Sequence, residues 1–219
     1  MFKVVWFSRA EESADCYVVI DVFRATSFMV TALALGAKKI IPAQTTKEAF
    51  QLKEQTKEKV LLAGESRTKS IRGFDMNNSP SALDESIKGK TIVHRTSAGT
   101  KVIRALMRKN VLIGSVLNAS AVKEKMEREG YTQVCLVCCG LEAKEFALED
   151  LYGAGCIAEP LKPANDFAIL AKRVKEEDVM ACSGAKRLKE HGFEKDIGFC
   201  LQKDAFDVCP VLKNGAIAL

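Results

Sequence analysis

The segment from Tyr17 to Gly36 constrains the fold more than any other part of the chain. Its first four residues are apolar, Asp21 follows, and three polar side chains come within the next six positions, namely Arg24, Thr26 and Ser27. Nearly continuous apolar sequence then reaches Gly36, so we predict a buried strand, a tight turn and a buried helix. Asp21 would lie at the carboxyl end of the strand, where open α/β sheets bind ligands, and a helix start favours anions. This arrangement predicts metal-assisted chemistry on a phosphorylated or similarly charged small molecule.

The same alternation of strand and helix continues along the chain. Further apolar strand candidates begin at Lys39, Val60, Thr91, Val111 and Val134, with helical patterns between them. Such alternation is typical of parallel βαβ units. We therefore predict a single α/β domain over residues 1–219, a three-layer α/β/α architecture with a mostly parallel central sheet and a site at the carboxyl edge of the strands. Two apolar segments of the tail, 197–201 and 208–212, are predicted to be peripheral strands.

Polar residues follow several of these strand candidates. They are Asp21, Glu65, the loop 96–100, Asn118 with Ser120, and Gly140 with Glu142. Since the carboxyl ends of parallel strands meet at one edge of a sheet, we expect these groups to gather there. The loop 96–100 can bind phosphate through its backbone N–H groups and hydroxyls, or it can simply cap a helix.

Composition argues against several classes of protein. The formal net charge of +5 comes from basic residues spread among acids, which does not indicate a nucleic-acid groove. No apolar run approaches the roughly 18–20 residues of a membrane-spanning helix, and the N-terminus lacks the layout of a signal peptide. The 8 cysteines lie mostly in apolar stretches, so we expect reduced thiols in a cytoplasmic protein.

Two other motifs favour structural roles. Residues 153–158 fit a dinucleotide-binding pattern, but they fall inside a helical pattern and predict close helix packing instead. Cys139 is expected to be a buried structural cysteine, and the role of Cys138 stays open. A cysteine phosphatase would need an arginine six positions further on, where Lys144 and Glu145 stand.

The acids at helix starts have structural alternatives as well. Asp21 can serve as a helix N-cap, and Glu149 with Asp150 can favour the dipole of the helix that they open. Arg24, three residues after Asp21, favours a functional role, because a carboxylate at a buried edge is otherwise costly to keep charged. Several carboxylates at one sheet edge would suit Mg²⁺, which takes few carboxylates together with waters and substrate oxygens.

Taken together, these segments resemble the 2-phosphosulfolactate phosphatase family, Mg²⁺-dependent phosphatases linked to coenzyme M synthesis. The resemblance rests on Ile20–Ser27, Gly64–Arg67, Gly73–Pro80, Ser97–Thr100, Leu117–Ala121, Cys138–Gly140 and Phe146–Asp150, in this order. It covers about residues 17–158 and is weaker in the tail. The chain departs from the family pattern at Ser66, Asn77, Ala98 and Leu141.

The resemblance implies hydrolysis of 2-phosphosulfolactate to sulfolactate and phosphate with Mg²⁺ as cofactor. It implies catalytic roles for Asp21, Arg24 and Glu65, and metal or metal-water contacts for Asp21, Glu65, Asp150 and, secondarily, Asp75. Whether Asp21 binds the metal or attacks phosphorus stays open. Arg24, Arg67 and Arg95 are expected to hold the anionic groups of the substrate. The expected hydrogen-bonding residues are Thr26, Ser27, Asn78, Ser79, Thr96, Ser97, Gly99, Thr100, Asn118 and Ser120.

Two other functions remain open. The departures from the family pattern favour an enzyme of the same fold that acts on a different phosphorylated or anionic metabolite. Alternatively, the carboxylates are structural and the chain is a non-catalytic anion-binding protein. In each case we expect a small anionic ligand, no nucleic-acid or membrane partner, and a homodimer as the default assembly.

Overall fold

The chain folds as an α/β protein whose large, mostly parallel sheet is flanked by helices, as the alternation predicts. The computed structural model describes residues 1–7, 13–56, 58–159 and 161–219. The strands are β1 (Phe2–Trp6), β2 (Cys16–Ile20), β3 (Lys39–Ala43), β4 (Val60–Ser66), β5 (Lys69–Ser70), β6 (Thr91–Arg95), β7 (Val111–Gly114), β8 (Val134–Cys138), β9 (Val211–Lys213) and β10 (Ala216–Ala218).

The helices are α1 (Ala25–Ala34), α2 (Thr46–Gln55), α3 (Gly99–Ala105), α4 (Ala119–Arg128), α5 (Leu148–Ala158), α6 (Asp166–Ala171), α7 (Glu176–Met180), α8 (Ser183–Glu190) and α9 (Glu194–Cys200). Short 3₁₀ turns cover Pro80–Ala82, Glu85–Ile87 and Val116–Asn118. Within the described residues, no helix is both long enough and apolar enough to cross a membrane. The dinucleotide-like pattern lies inside α5, so its glycines serve helix packing as predicted.

The segment after Asp15 forms the predicted strand, turn and helix. All five residues of β2 are buried, and nine of the ten residues of α1 are buried as well. An element without a polar face must lie in the interior. Strand β2 pairs with a parallel strand on each side, namely β7 and β8. Its carboxyl end therefore lies inside the sheet and not at an edge strand.

The strand order is β1-β8-β2-β7-β9-β10-β3-β6-β4-β5. One parallel group contains β1, β8, β2 and β7, and the other contains β3, β6 and β4. The hairpin β9–β10 lies between them and pairs antiparallel with β7 on one side and β3 on the other. The prediction of peripheral strands in the tail was therefore wrong in two ways, because β9–β10 is central and residues 197–200 belong to helix α9.

The sheet is curved, so the ends of the two parallel groups approach each other. Strands β2 and β6 lie five positions apart in the strand order, which in a flat sheet corresponds to about 24 Å. Yet Asp21, directly after β2, bonds to the amide of Gly99, four residues after β6. Val19 of β2, Ile92 of β6 and Val102 of α3 share one buried cluster. A cleft lies at this junction.

Candidate active site

An open cleft lies where the ends of β2, β4, β6 and β8 meet the first turn of α5 and one face of α8. Its empty volume is about 510 Å³, including the solvent at its mouth. Its polar lining comprises Asp21, Arg24, Glu65, Arg67, Thr68, Asn78, Ser97, Glu142, Glu149, Asp150 and Arg187. Four carboxylates in this set are at least nine-tenths buried, namely Asp21, Glu65, Glu149 and Asp150.

Asp21 is held rigidly by main-chain donors from two helices. Its Oδ1 accepts from the Ala25 amide at 3.2 Å, and its Oδ2 accepts from the Gly99 amide at 3.0 Å. The Thr26 hydroxyl accepts from the Asp21 amide and donates to the Asp21 carbonyl, both at 3.0 Å. Asp21 is thus not a simple N-cap of α1, because its carboxylate joins the starts of α1 and α3.

Glu65 is fixed by the turn after its own strand and by the loop after β6. Its Oε2 accepts from the Thr68 amide at 2.6 Å, and its Oε1 accepts from the Ser97 amide at 2.6 Å. The Ser97 hydroxyl donates to Oε2 at 3.2 Å. Two chain segments thus set the orientation of this carboxylate before any ligand binds.

Asp150 joins the ends of β2 and β8. Its Oδ1 accepts from the Val22 amide at 2.9 Å, and its Oδ2 accepts from the Gly140 amide at 2.8 Å. Gly140 has φ +69°, and a Cβ there would come within 2.1 Å of the Glu145 carbonyl oxygen, so only glycine fits this turn. Its neighbour Glu149 is held differently, since its Oε2 accepts from the Cys182 thiol at 3.4 Å.

The electrostatics of Asp21, Glu149 and Asp150 favour proton or cation uptake. Burial, followed by the charges of Glu65 and Glu149, raises the pKa of Asp21 to about 7 against the lowering effect of its amide donors. Burial, Asp21 and Glu149 raise the pKa of Asp150 well above its usual value. Burial also raises the pKa of Glu149. These groups repel one another when ionised, and a cation would relieve that repulsion.

Comparison with known proteins shows which family the chain belongs to. The family model described as 2-phosphosulpholactate phosphatase matches residues 6–215. A protein of Thermotoga petrophila named "Probable 2-phosphosulfolactate phosphatase" is 42% identical over 212 residues, covering 92% of this chain and 91% of the relative. The chain belongs to the 2-phosphosulfolactate phosphatase family.

Two further relatives carry the same name and similar coverage. The protein of Caldanaerobacter subterraneus subsp. tengcongensis is 40% identical over 215 residues, covering 91% of this chain and 88% of the relative. The protein of Clostridium acetobutylicum is 36% identical over 214 residues, covering 91% and 90% respectively. The resemblance seen in the sequence is thus confirmed over nearly the whole chain, and this family member is a phosphatase, a phosphoric monoester hydrolase.

The three arginines that are predicted to hold the anionic groups of the substrate occupy three different environments. Arg24 lines the cleft, but its Nη1 donates to Asp196 at 2.6 Å, its Nη2 donates to Asn77 at 3.0 Å, and its guanidinium stacks on Phe193. Arg95 does not line the cleft and donates to the Glu65 carbonyl at 2.6 Å. Arg67 lies at the exposed rim, where its Nε pairs with Glu142 at 3.2 Å.

The predicted hydrogen-bonding residues also separate into groups. Asn78 and Ser97 line the cleft, and Gly99 contacts Asp21. Thr26, Thr96 and Thr100 stabilise the turns after β2 and β6 through their own main-chain bonds. The other four lie outside the cleft lining: Ser27 bonds to Val22 and Ser115, Ser79 to Asp196, Asn118 to Ser115 and Val208, and Ser120 to Asp204.

Asp75 is separated from the other predicted metal-binding carboxylates. Its Oδ2 accepts from the Leu62 amide at 2.7 Å and from the Lys53 ammonium at 3.0 Å, and it is absent from the cleft lining. The strand geometry explains this, because Asp75 lies beside the middle of β4, whereas Glu65 lies near its carboxyl end. The structure brings Asp21, Glu65 and Asp150 together and leaves Asp75 out.

The carboxylates of the cleft can be compared with the ligands that Mg²⁺ takes in proteins. Across residues 1–7, 13–56, 58–159 and 161–219, no group of three or more His, Cys, Asp or Glu side chains is arranged to hold a metal ion. However, Mg²⁺ commonly uses one or two carboxylates, several waters and substrate phosphate oxygens. Asp21 and Asp150 are buried oxygen donors, and the charge of Asp21 raises the pKa of Asp150, so the chemistry of the donor set fits a hard divalent cation.

Two residues that line the cleft are not marked as site residues by the sequence. Glu149 is predicted only to open a helix together with Asp150, yet its side chain lies in the cleft beside the N-terminus of α8. Arg187 of α8 lines the cleft as well. No local motif marks Arg187, but its spacing from Gly184 and Leu188 places the three on one helix face, which was the available signal.

Proposed function

We propose that the protein hydrolyses 2-phosphosulfolactate to sulfolactate and phosphate with Mg²⁺. The observation that carries this proposal is the convergence of Asp21, Glu65, Asp150 and Glu149 on one cleft, from positions spread over much of the chain. A set of buried, mutually repelling carboxylates at strand ends and a helix start is costly unless a cation or proton compensates it. Family membership supports the phosphate monoester as the group that is cleaved.

Asp21 and Asp150 are the residues that would hold the ion, with Glu65 next to them. When bound, Mg²⁺ offsets phosphate charge and lowers the pKa of a coordinated water. The chain itself contributes rigidity, because two backbone amides fix each carboxylate before substrate arrives. Preorganised groups of this kind need little rearrangement during the reaction.

Glu149 is suited to a different task, which is to donate a proton to the leaving oxygen. The alkoxide released from an aliphatic phosphate monoester is a poor leaving group, so a positioned acid accelerates its departure. Burial raises the pKa of Glu149, and its carboxylate accepts from the Cys182 thiol. A buried carboxyl with a raised pKa that lines the cleft suits this proton transfer.

A related substrate is the second candidate. Ala98, one of the departures from the family pattern, lines the cleft, so recognition of the part of the substrate beyond the phosphate can differ from that of other members. A panel of phosphate monoesters that includes 2-phosphosulfolactate separates the two candidates by their kcat/KM values.

The deciding experiment measures phosphate release with Mg²⁺ and with a chelator. We expect turnover of 2-phosphosulfolactate that the chelator abolishes, and a fall in kcat of at least about 100-fold in Asp21→Asn. Asp75→Asn is the matched control, since that carboxylate lies outside the cleft. Tight binding of the ester without phosphate release would favour the non-catalytic alternative, and release from another ester alone would favour the second candidate.

A further inference from the structure

Arg187 lies on the face of α8 that closes the cleft. Gly184, Arg187 and Leu188 are spaced as neighbours on one helix face, and the latter two line the cleft. At Gly184 a Cβ would come within 2.2 Å of the Glu149 Oε1, so the absence of a side chain lets the helix rest against that carboxylate. This close approach brings Arg187, one turn further on, to the wall of the cleft.

Arg187 differs from the other arginines of the cleft in how it is bonded. Arg24 is committed to Asp196 and Asn77, and Arg67 pairs with Glu142 on the exposed rim. The Nε of Arg187 is buried and has no hydrogen-bond partner among the described residues. A buried guanidinium nitrogen without an acceptor is costly, so an acceptor that enters the cleft would be bound with a clear gain.

The position of Arg187 also separates it from the carboxylates assigned to the metal. The face of α8 that carries Arg187 rests against Glu149 at Gly184, whereas Asp21 bonds to the Ala25 and Gly99 amides at the starts of α1 and α3. An anionic group at Arg187 would therefore lie at the α8 side of the cleft. That is where the remainder of a substrate would extend if its phosphate lay at Asp21 and Asp150.

We propose that Arg187 is a specificity-determining residue that binds a second anionic group of the substrate, a carboxylate or a sulfonate. The inference rests on the proposed function and deepens it, since it assigns a residue to the anionic groups that the substrate carries besides its phosphate. A guanidinium fork matches both kinds of oxyanion through paired hydrogen bonds.

The test uses three esters built on the same carbon skeleton. 2-Phosphosulfolactate carries a carboxylate and a sulfonate, 2-phospholactate carries only the carboxylate, and isopropyl phosphate carries neither. Arg187→Gln is compared with Lys186→Gln, which removes the same charge from the adjacent exposed position of α8. We expect Arg187→Gln to lower kcat/KM for 2-phosphosulfolactate by about 10- to 150-fold, mainly through KM, while its kcat/KM for isopropyl phosphate changes less than about twofold.

The response to 2-phospholactate identifies the group that is bound. If the loss is as large with this ester, Arg187 binds the carboxylate, and if the loss occurs only with 2-phosphosulfolactate, it binds the sulfonate. An equal loss with all three esters would overturn the inference, because it would mean a structural role or contact with the phosphate. Arg187→Lys, which keeps the charge, is expected to lie between wild type and Arg187→Gln, and circular dichroism checks that each variant is folded.

A binding measurement keeps the inference separate from turnover. Sulfolactate carries both additional anions but no phosphate, so its Kd by calorimetry reports on the second site alone. We expect the Kd to rise by about 10-fold or more in Arg187→Gln and to stay unchanged in Lys186→Gln. If the wild-type protein hydrolyses none of the esters but shows this pattern of binding, the proposed function fails, while the binding of an anionic group by Arg187 stands. Sulfolactate binding that is absent in the wild type, or unaffected by Arg187→Gln, overturns the inference.

Discussion

The Asp21 carboxylate accepts a hydrogen bond from the Gly99 amide at 3.0 Å, although the two residues are 78 positions apart in the sequence. This bond joins the end of β2 to the start of α3 and therefore connects the two parallel groups of the sheet. It also orients one of the two carboxylates assigned to the metal. The cleft and the curvature of the sheet thus depend on the same contact.

Gly99→Ala should disturb this contact directly. A Cβ at residue 99 would lie 2.7 Å from the Ala25 Cβ and 2.9 Å from the Asp21 Oδ2, both buried in rigid surroundings. We expect unfolding free energy to fall by about 1–3 kcal/mol and phosphatase activity to fall with it. The matched control is Gly198→Ala in α9, where a Cβ meets no atom within 4 Å. Urea denaturation measures both variants, and an undisturbed Gly99→Ala protein would contradict the proposed rigidity.

The raised pKa of Asp21 predicts how stability without metal changes with pH. Because its pKa is about 7 in the folded protein and near 3.8 in the unfolded chain, the folded state binds the proton more tightly. The resulting stabilisation is complete below about pH 4 and is lost as the pH rises through 7. In chelator, wild-type unfolding free energy should fall relative to Asp21→Asn by about 2–4 kcal/mol between pH 4 and 8. Parallel pH profiles for the two proteins would argue against a raised pKa.

Addition of Mg²⁺ should restore, at neutral pH, the unfolding free energy that is lost when Asp21 ionises. A ligand that binds only the folded state adds about 2.7 kcal/mol when present at 100 times its Kd. We expect a rise in Tm with Mg²⁺ for the wild type, and a much smaller rise for Asp21→Asn and Asp150→Asn. Asp75→Asn should lose some stability, because the carboxylate bonds to Leu62 and Lys53, yet keep the full response to Mg²⁺. Loss of the response in Asp75→Asn would place the ion elsewhere.

The buried ion pair of Arg24 and Asp196 should contribute more to the free energy of unfolding than an ion pair on the surface does. Both side chains are almost fully buried, at 2% and 1% exposure, and the Asp196 Oδ1 also accepts from the Ser79 hydroxyl at 2.7 Å. Asp196→Asn leaves the Arg24 charge without its partner, so we expect a loss of about 3–5 kcal/mol in thermal or urea denaturation. Lys38→Ala breaks an exposed pair with Glu58 and should cost less than about 1 kcal/mol. Similar effects of the two changes would contradict this difference.

Parts of the site were predictable because the signals are local. The apolar run before Asp21 predicts a buried strand with the carboxylate at its end, and the loops after β4, β6 and β8 follow the same rule. Ser27 and Asn118 follow strands too, but their side chains turn to structural partners. Hydrophobic periodicity predicts that a residue follows a strand and so lies at the carboxyl edge of the sheet. The direction of its side chain depends on the neighbours that it meets in the folded chain. The assignment of roles to the catalytic and substrate-binding residues stays a prediction until the variants above are measured.

The sequence by itself determined the alternation of strands and helices, the family, the position of Asp21 and Glu65 at or near strand ends, and the position of Asp150 at a helix start. Tertiary structure alone decided that β9–β10 separates the two parallel groups, that Arg24 pairs with Asp196 across 172 positions, and that α8 brings Arg187 to the cleft. The physical reason is the range of the interactions involved. Hydrophobic periodicity and capping act within a few residues, whereas sheet order and ion pairing depend on contacts between segments that only the folded chain brings together.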